Sequence, residues 1–239
     1  MQVELFSFPP LRDFPNASPF CAKLEIYLHM ADVDFTVTRI KGSRGSPTGK
    51  VPFVKLDGQI MADSGEVITA LEARLDKPVD ADLTPGQRAE SLAMQRLLEE
   101  HLYWVIVYSR WLDPTGWHGW RQLMSEDFGA PHLLLTILGP LLRRRVRSHL
   151  NGHGLGRHSA GRIWAMGGAD VTALADWLGE REWAFGDRPH SLDACLAAFT
   201  GAVVRMPWDY PLKSEFKLHP KLLAHSERVL SRYYPAAVD

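Results

Sequence analysis

Cysteine is scarce in this chain: Cys21 and Cys195 are the only two among 239 residues, so no disulfide framework can form and a reducing compartment is expected. A basic excess is missing as well. The net charge of −1 argues against a dedicated binder of nucleic acid, whose phosphate contacts need a clear surplus of Lys and Arg. No apolar run is long enough to span a bilayer; the longest, "HLLLTILGPLL", is short and is interrupted by Gly139 and Pro140, and no membrane partner is expected. The opening "MQVELFSFPP" has none of the basic-then-apolar design of an export signal. A soluble, cytoplasmic protein is expected. The formal glycosylation sequon Asn16-Ala17-Ser18 has no meaning without secretion.

What is present divides the chain. "VELFSF" alternates like a strand, a loop "PPLRDFPNA" follows, a helix runs from Ser18 to about Met30, and "FTVTRI" reads as a second strand. After the Gly- and Pro-rich loop "KGSRGSPTGK", two strands, "VPFVKLDG" and "QIMA", flank the hairpin signal Asp57-Gly58, and the helix "DSGEVITALEARL" closes the unit. The polar, Pro-punctuated stretch 77–85 has the composition of a linker between a domain at 1–76 and another at 86–239. No convincing strand follows. Helical periodicity runs through five later segments, the last being "HPKLLAHSERVLSRYY". The expected fold is a small α/β domain followed by an all-helical one.

Several attractive signals fail on chemistry. "GHGLGRHSAG" has the wrong glycine spacing for a nucleotide loop and no preceding strand. His149, His153 and His158 share no helical face and have no nearby Cys or acid to complete a ligand set, so no metal is expected. "LLRRRVR" is a basic run in an otherwise amphipathic helix and reads as a solvated face, with a phosphate or membrane site as the lesser alternative. In "GDRPHSLDACL", either His190 or Ser191 must serve with Asp193 as the cap of the following helix.

Other positions leave two readings open. Ser18 stands at a helix N-cap with Pro19 at the first helical position, which places Cys21 in the first turn, near unpaired N–H groups that favour a thiolate. A capped helix with a buried Cys is the plainer alternative. Pro52 is either a cis residue at a turn or the harmless start of an edge strand. Asp63 and Ser64 open a helix, where they either bind a carboxylate or form a capping box with Glu66. In the segment "RLLEEHLYWVIVYSRWL", Leu97, Trp104, Tyr108 and Trp111 fall on one helical face, with Trp117, His118 and Trp120 in the next loop.

The order of elements, the S-x-x-C at the first helix and Val51-Pro52 before the third strand resemble a thioredoxin-like domain. With the helical second half, the whole chain resembles the glutathione S-transferase superfamily. The segments "SPFCAKLEIYLHMA", "GKVPFVKLDGQIMADSGEVI", "QRLLEEHLYWVIVYSRW", "GHGLGRHSAGRI" and "FGDRPHSLDACLAAF" are similar to the bacterial branch related to the failed axon connections and metaxin proteins.

The resemblance implies a glutathione site. Val51 would present its backbone to the cysteinyl part, beside a cis Pro52. Asp63 and Ser64 would take the γ-glutamyl ammonium and carboxylate, and Lys50, with Lys41 as a lesser candidate, the glycyl carboxylate. Ser18 matches the residue that contacts the glutathione sulfur, whereas Cys21 takes the place of the second Cys of a C-x-x-C motif whose first is absent. Tyr103, Tyr108 and Trp111 are the candidates for lining an acceptor pocket across the domain boundary. The expected activity is a glutathione S-transferase of detoxification type, a homodimer acting on a small hydrophobic electrophile. The alternative is a binding or assembly protein of the same fold without turnover. The presence of Ser18, Val51-Pro52 and Asp63-Ser64 together favours the transferase.

Overall fold

Alternation of buried Val3, Leu5 and Ser7 with half-buried Glu4 and Phe6 makes strand β1 (Val3–Ser7) the centre of a sheet. The structure, a computed structural model, describes residues 1–11 and 14–234. Arg12 and Asp13 of the expected loop 9–17, and residues 235–239 of the expected helical half, lie outside the described residues. Four strands pair in the order β2-β1-β3-β4, where β2 is Phe35–Arg39, β3 Phe53–Leu56 and β4 Gln59–Ala62. β2 runs parallel to β1, with Ser7 opposite Arg39; β3 runs antiparallel to β1, with Phe6 opposite Phe53. The β3–β4 hairpin turns at Asp57 (φ 48°) and Gly58 (φ 88°), the paired positive φ values of a tight hairpin whose twist matches its strands.

Helix α1 (Pro19–Met30) links β1 to β2, and α2 (Ser64–Glu72) follows β4. The expected apolar stripe on α1 is too narrow a description, because every residue from Cys21 to Leu28 is buried. The glutamate among them, Glu25, meets the Arg39 guanidinium in two bonds of 2.9 and 2.6 Å, which offsets the cost of burying its charge. A helix buried all round needs cover opposite the sheet. It comes from far along the chain: Ala194, Ala197, Ala198 and Ala202, with Trp183, Val229 and Leu230, share one core with the sheet and α1.

By packing, the chain divides into two compact units. The first holds Met1–Gln95, Glu180–Ala202 and the segment from Leu223; the second holds Arg96–Gly179 and Val203–Leu222. In the first unit the expected linker is tied down by acids. Glu72 accepts the N–H groups of Val79 and Asp80 (2.9 and 3.0 Å), and Asp80 accepts both the N–H and the hydroxyl of Ser191 (2.9 and 2.5 Å). Asp82 is gripped by Arg188, whose Nε lies 3.0 Å away. Asp193 reaches back to the His190 N–H (2.8 Å), so the cap of the helix Ser191–Val204 is shared among His190, Ser191, Asp193 and Asp80.

The periodic segment that starts near Pro85 is one helical rod in three parts: α3 (Pro85–Arg96), a π-helical turn (Leu97–Leu102) and α4 (Tyr103–Trp111). A π turn inserts a residue into the helical register, so Leu97 does not share the face of Trp104, Tyr108 and Trp111 as expected. Trp117, His118 and Trp120 are not in a loop either. They ride on α5 (Pro114–Glu126), whose start carries a legible signal, the cap Asp113 followed by Pro114. The helix α6 (His132–His153) continues through Gly139 and Pro140. A short 3₁₀ turn (Leu155–Arg157), α7 (Ala160–Leu178), α8 (Ser191–Val204), α9 (Pro211–Lys217) and α10 (Pro220–Tyr233) complete the chain. The expected α/β thioredoxin-like half and helical remainder are both present, with α5 and α9 as additions.

Candidate active site

Strand register brings the polar candidates to one end of the sheet. Phe53 at the start of β3 lies opposite both Phe6, next to the last residue of β1, and Ala62, the last of β4. One step further out come the exit of β1 toward Ser18, the pair Val51-Pro52, and Asp63. Helices α1 and α2 both start at this end, so two sets of unpaired N–H groups and two positive helix dipole ends face it. All of these residues belong to the first unit.

Ser18 occupies the N-cap position of α1 in extended conformation (φ −85°, ψ 118°), yet its hydroxyl caps no N–H of the helix. Its own N–H donates to Asn16 Oδ1 at 3.0 Å. Asn16, fully buried, holds the exit of β1 with its amide, donating to the Phe8 carbonyl (2.7 Å), the Ser7 hydroxyl (3.2 Å) and the Pro9 carbonyl (3.4 Å). The side chain dismissed as part of a sequon is thus the brace that sets the backbone at Ser18. An Asn two residues ahead of a Ser-Pro helix start is a readable sign of such an Asx turn.

Cys21 lies beneath Ser18 and is fully buried. Burial pushes its thiol up to about 11, against the opposing effect of hydrogen bonds from the Ser18 and Ser7 hydroxyls and the Phe8 backbone. At neutral pH it keeps its proton, which removes the nucleophilic form.

The Val51-Pro52 peptide is cis, with Pro52 buried and Val51 half-buried. Asp63 caps α2: its Oδ1 accepts the N–H groups of Gly65 (2.9 Å) and Glu66 (3.4 Å). It does so from φ 74° and ψ 118°, in the left-handed half of the map where a side chain costs about 1 to 3 kcal/mol. Ser64 at the first helical position is buried. Lys41 and Lys50 are both exposed on the loop between β2 and β3. Among the described residues no group of three His, Cys, Asp or Glu could hold a metal ion.

The aromatic candidates belong to the second unit and do not form one cluster. Tyr103 stands edge-on to Trp104 (5.5 Å between ring centres), Tyr108 edge-on to Trp164 (5.3 Å), and Trp111 stacks on Trp117 (5.6 Å). Burial and the nearby Asp113 carboxylate raise the Tyr108 hydroxyl above its ordinary value. The π turn adds a pair that sequence reasoning missed: His101 Nδ1 and Asp170 Oδ2 are 2.5 Å apart, and burial raises the Asp170 carboxyl. Nothing local announces this pair, whose members are separated by a whole helix and more of chain.

A thioredoxin-like sheet with two helix N-termini at one end, followed by helices, is the architecture of glutathione transferases. A solved glutathione S-transferase from Methylobacterium radiotolerans, in complex with glutathione sulfonate, superimposes with a TM-score of 0.64 at 18% identity, over 99% of this chain and 92% of that one. The family models for the glutathione S-transferase N-terminal domain and C-terminal domain match residues 19–116 and 167–229. The isoprene-epoxide glutathione S-transferase of Rhodococcus sp. (strain AD45) is 30% identical over 97% of this chain and 99% of its own length. Failed axon connections of Drosophila melanogaster is also 30% identical, over 98% of this chain and 58% of its own. The chain belongs to the glutathione S-transferase family.

Proposed function

We propose that the protein adds the sulfur of glutathione to a small hydrophobic electrophile, with epoxides as the first class to try because the Rhodococcus relative is named for one. The observation that carries this reading is the Ser18 hydroxyl, which stands at a helix N-terminus and is not spent on capping it. Glutathione would lie along the sheet end, its cysteinyl backbone against Val51, its γ-glutamyl carboxylate at Ser64 and its ammonium at Asp63. Lys50 would reach the glycyl carboxylate. A hydroxyl donor and the positive end of α1 favour thiolate over thiol, so the sulfur ionises nearer neutral pH and attacks the electrophilic carbon. With an epoxide, the S–C bond forms as the ring C–O bond breaks, and the oxygen takes a proton.

Calorimetric titration with glutathione, followed by conjugation assays on epoxides, tests the reading. Asp63→Ala with Ser64→Ala is expected to weaken glutathione binding by about a hundredfold or more, each of the two charge-assisted bonds contributing about 1.5 to 3 kcal/mol. Unchanged affinity in the folded double variant removes the site assignment. Tight binding without conjugation of any electrophile would favour the non-catalytic alternative.

A further inference from the structure

Among the described residues, helix α6 is exposed over most of its surface. Its packed side is a narrow stripe through Leu135, Gly139 and Leu150. On the opposite side Leu133, Ile137 and Leu141 follow one another at spacing four and are 71%, 65% and 64% exposed, with Leu134, Leu138 and Leu142 beside them. Arg145 continues the same row by another four residues, and Arg144 and Arg147 are exposed next to it. Arg143 is committed elsewhere, donating through Nε to the Trp111 carbonyl at 2.7 Å. The 22 residues of α6 include no Asp or Glu, in a chain whose net charge is −1.

An apolar face that passes directly into an arginine patch needs a surface that is oily and negatively charged at adjoining depths. We propose that α6 lies flat on an anionic lipid bilayer, its leucine and isoleucine row in the acyl boundary and Arg144, Arg145 and Arg147 at the headgroup phosphates. About 14 Å of helix separates Leu133 from Leu142, long enough to seat six side chains in the outer few ångströms of a leaflet. A second copy of the chain complements this face less well, because α6 pairing with α6 brings no acid to either set of arginines. No helix among the described residues is long and apolar enough to cross a membrane; lying on one has no such length requirement.

Flotation of the full chain with vesicles tests this. The chain is expected to float with vesicles of phosphatidylcholine and phosphatidylglycerol in equal shares, and not with phosphatidylcholine alone. Ile137→Asp with Leu141→Asp is expected to lower partitioning at least about tenfold, and Arg144→Glu with Arg145→Glu by a similar factor at low salt, with helix content unchanged in both. Failure to float with acidic vesicles overturns the proposal. So does equal binding by the Ile137/Leu141 variant, which would mean adsorption by charge alone. Sedimentation equilibrium runs in parallel: an oligomer that Ile137→Asp with Leu141→Asp converts to monomer, without vesicle binding, assigns the face to a second copy and also overturns the proposal.

Discussion

Helices α1 and α5 begin with the same two-residue signal, a capping residue followed by proline, and use it differently. At α5 the Asp113 carboxylate accepts the Gly116 N–H at 2.9 Å, spending the side chain on the helix. At α1 the Ser18 hydroxyl spends nothing on the helix and reaches Cys21 instead, while Asn16 takes the Ser18 N–H. A local signal therefore starts a helix in both places, but the cap holds only one of the two together. The other is braced from outside, and because Cys21 keeps its proton the Ser18 oxygen can accept the thiol S–H while its own O–H stays a donor.

That difference can be broken from either side. The largest effect belongs to α5. A Cβ at Gly116 would sit 1.6 Å from the Ser109 carbonyl oxygen, so Gly116→Ala must open the corner between α4 and α5, at a cost of about 3 kcal/mol or more in urea unfolding.

Next comes the thiol under α1. Burial lifts Cys21 from 9.0 to about 11 in the folded chain, so its contribution to stability is complete below pH 9 and is lost as pH rises toward 11. A shift of that size corresponds to about 2 to 3 kcal/mol. Cys21→Ser, which does not titrate there, is expected to flatten this part of the stability profile relative to the parent chain.

Ser18→Ala is expected to lower kcat for glutathione conjugation by about 10- to 100-fold, the value of one hydrogen bond to an ionised sulfur. Its unfolding free energy should change by less than about 0.5 kcal/mol, since no cap bond is lost. A stability loss near 1 kcal/mol with full turnover would make Ser18 an ordinary cap. Asp113→Ala is the mirror experiment and the smallest effect. It should cost about 1 kcal/mol of stability and leave glutathione affinity unchanged.

Much of the sheet half was legible because its signals are local. The alternation in Val3–Ser7, the Asp57-Gly58 turn and the Asp63 cap each act within a few residues, and each element formed where expected. Helix α5 is equally legible from Asp113-Pro114, a cap followed by proline at the first helical position, although its tryptophans suit a pocket loop as well. Leu97 could not be placed from periodicity, because a π turn follows from packing and leaves no mark in the hydrophobic pattern. The role of Asn16 was half-visible: an Asx turn is a local habit, but the bonds to Ser7 and Phe8 depend on the strand exit folding back.

Neighbouring residues settle where helices and turns begin in this chain, because caps, prolines and positive-φ glycines act on N–H groups within reach of their own backbone. They also settle which candidate groups the sequence offers: the Ser18 hydroxyl, the Asp63-Ser64 pair and two cysteines. Which groups meet is a matter of long-range packing. The cover of α1 by alanines from α8, the tying of 79–82 to the start of α8 and the raised thiol of Cys21 all join segments distant in the chain. Burial is a property of the assembled core, and it decides whether the Cys21 thiol is a nucleophile or a support for Ser18.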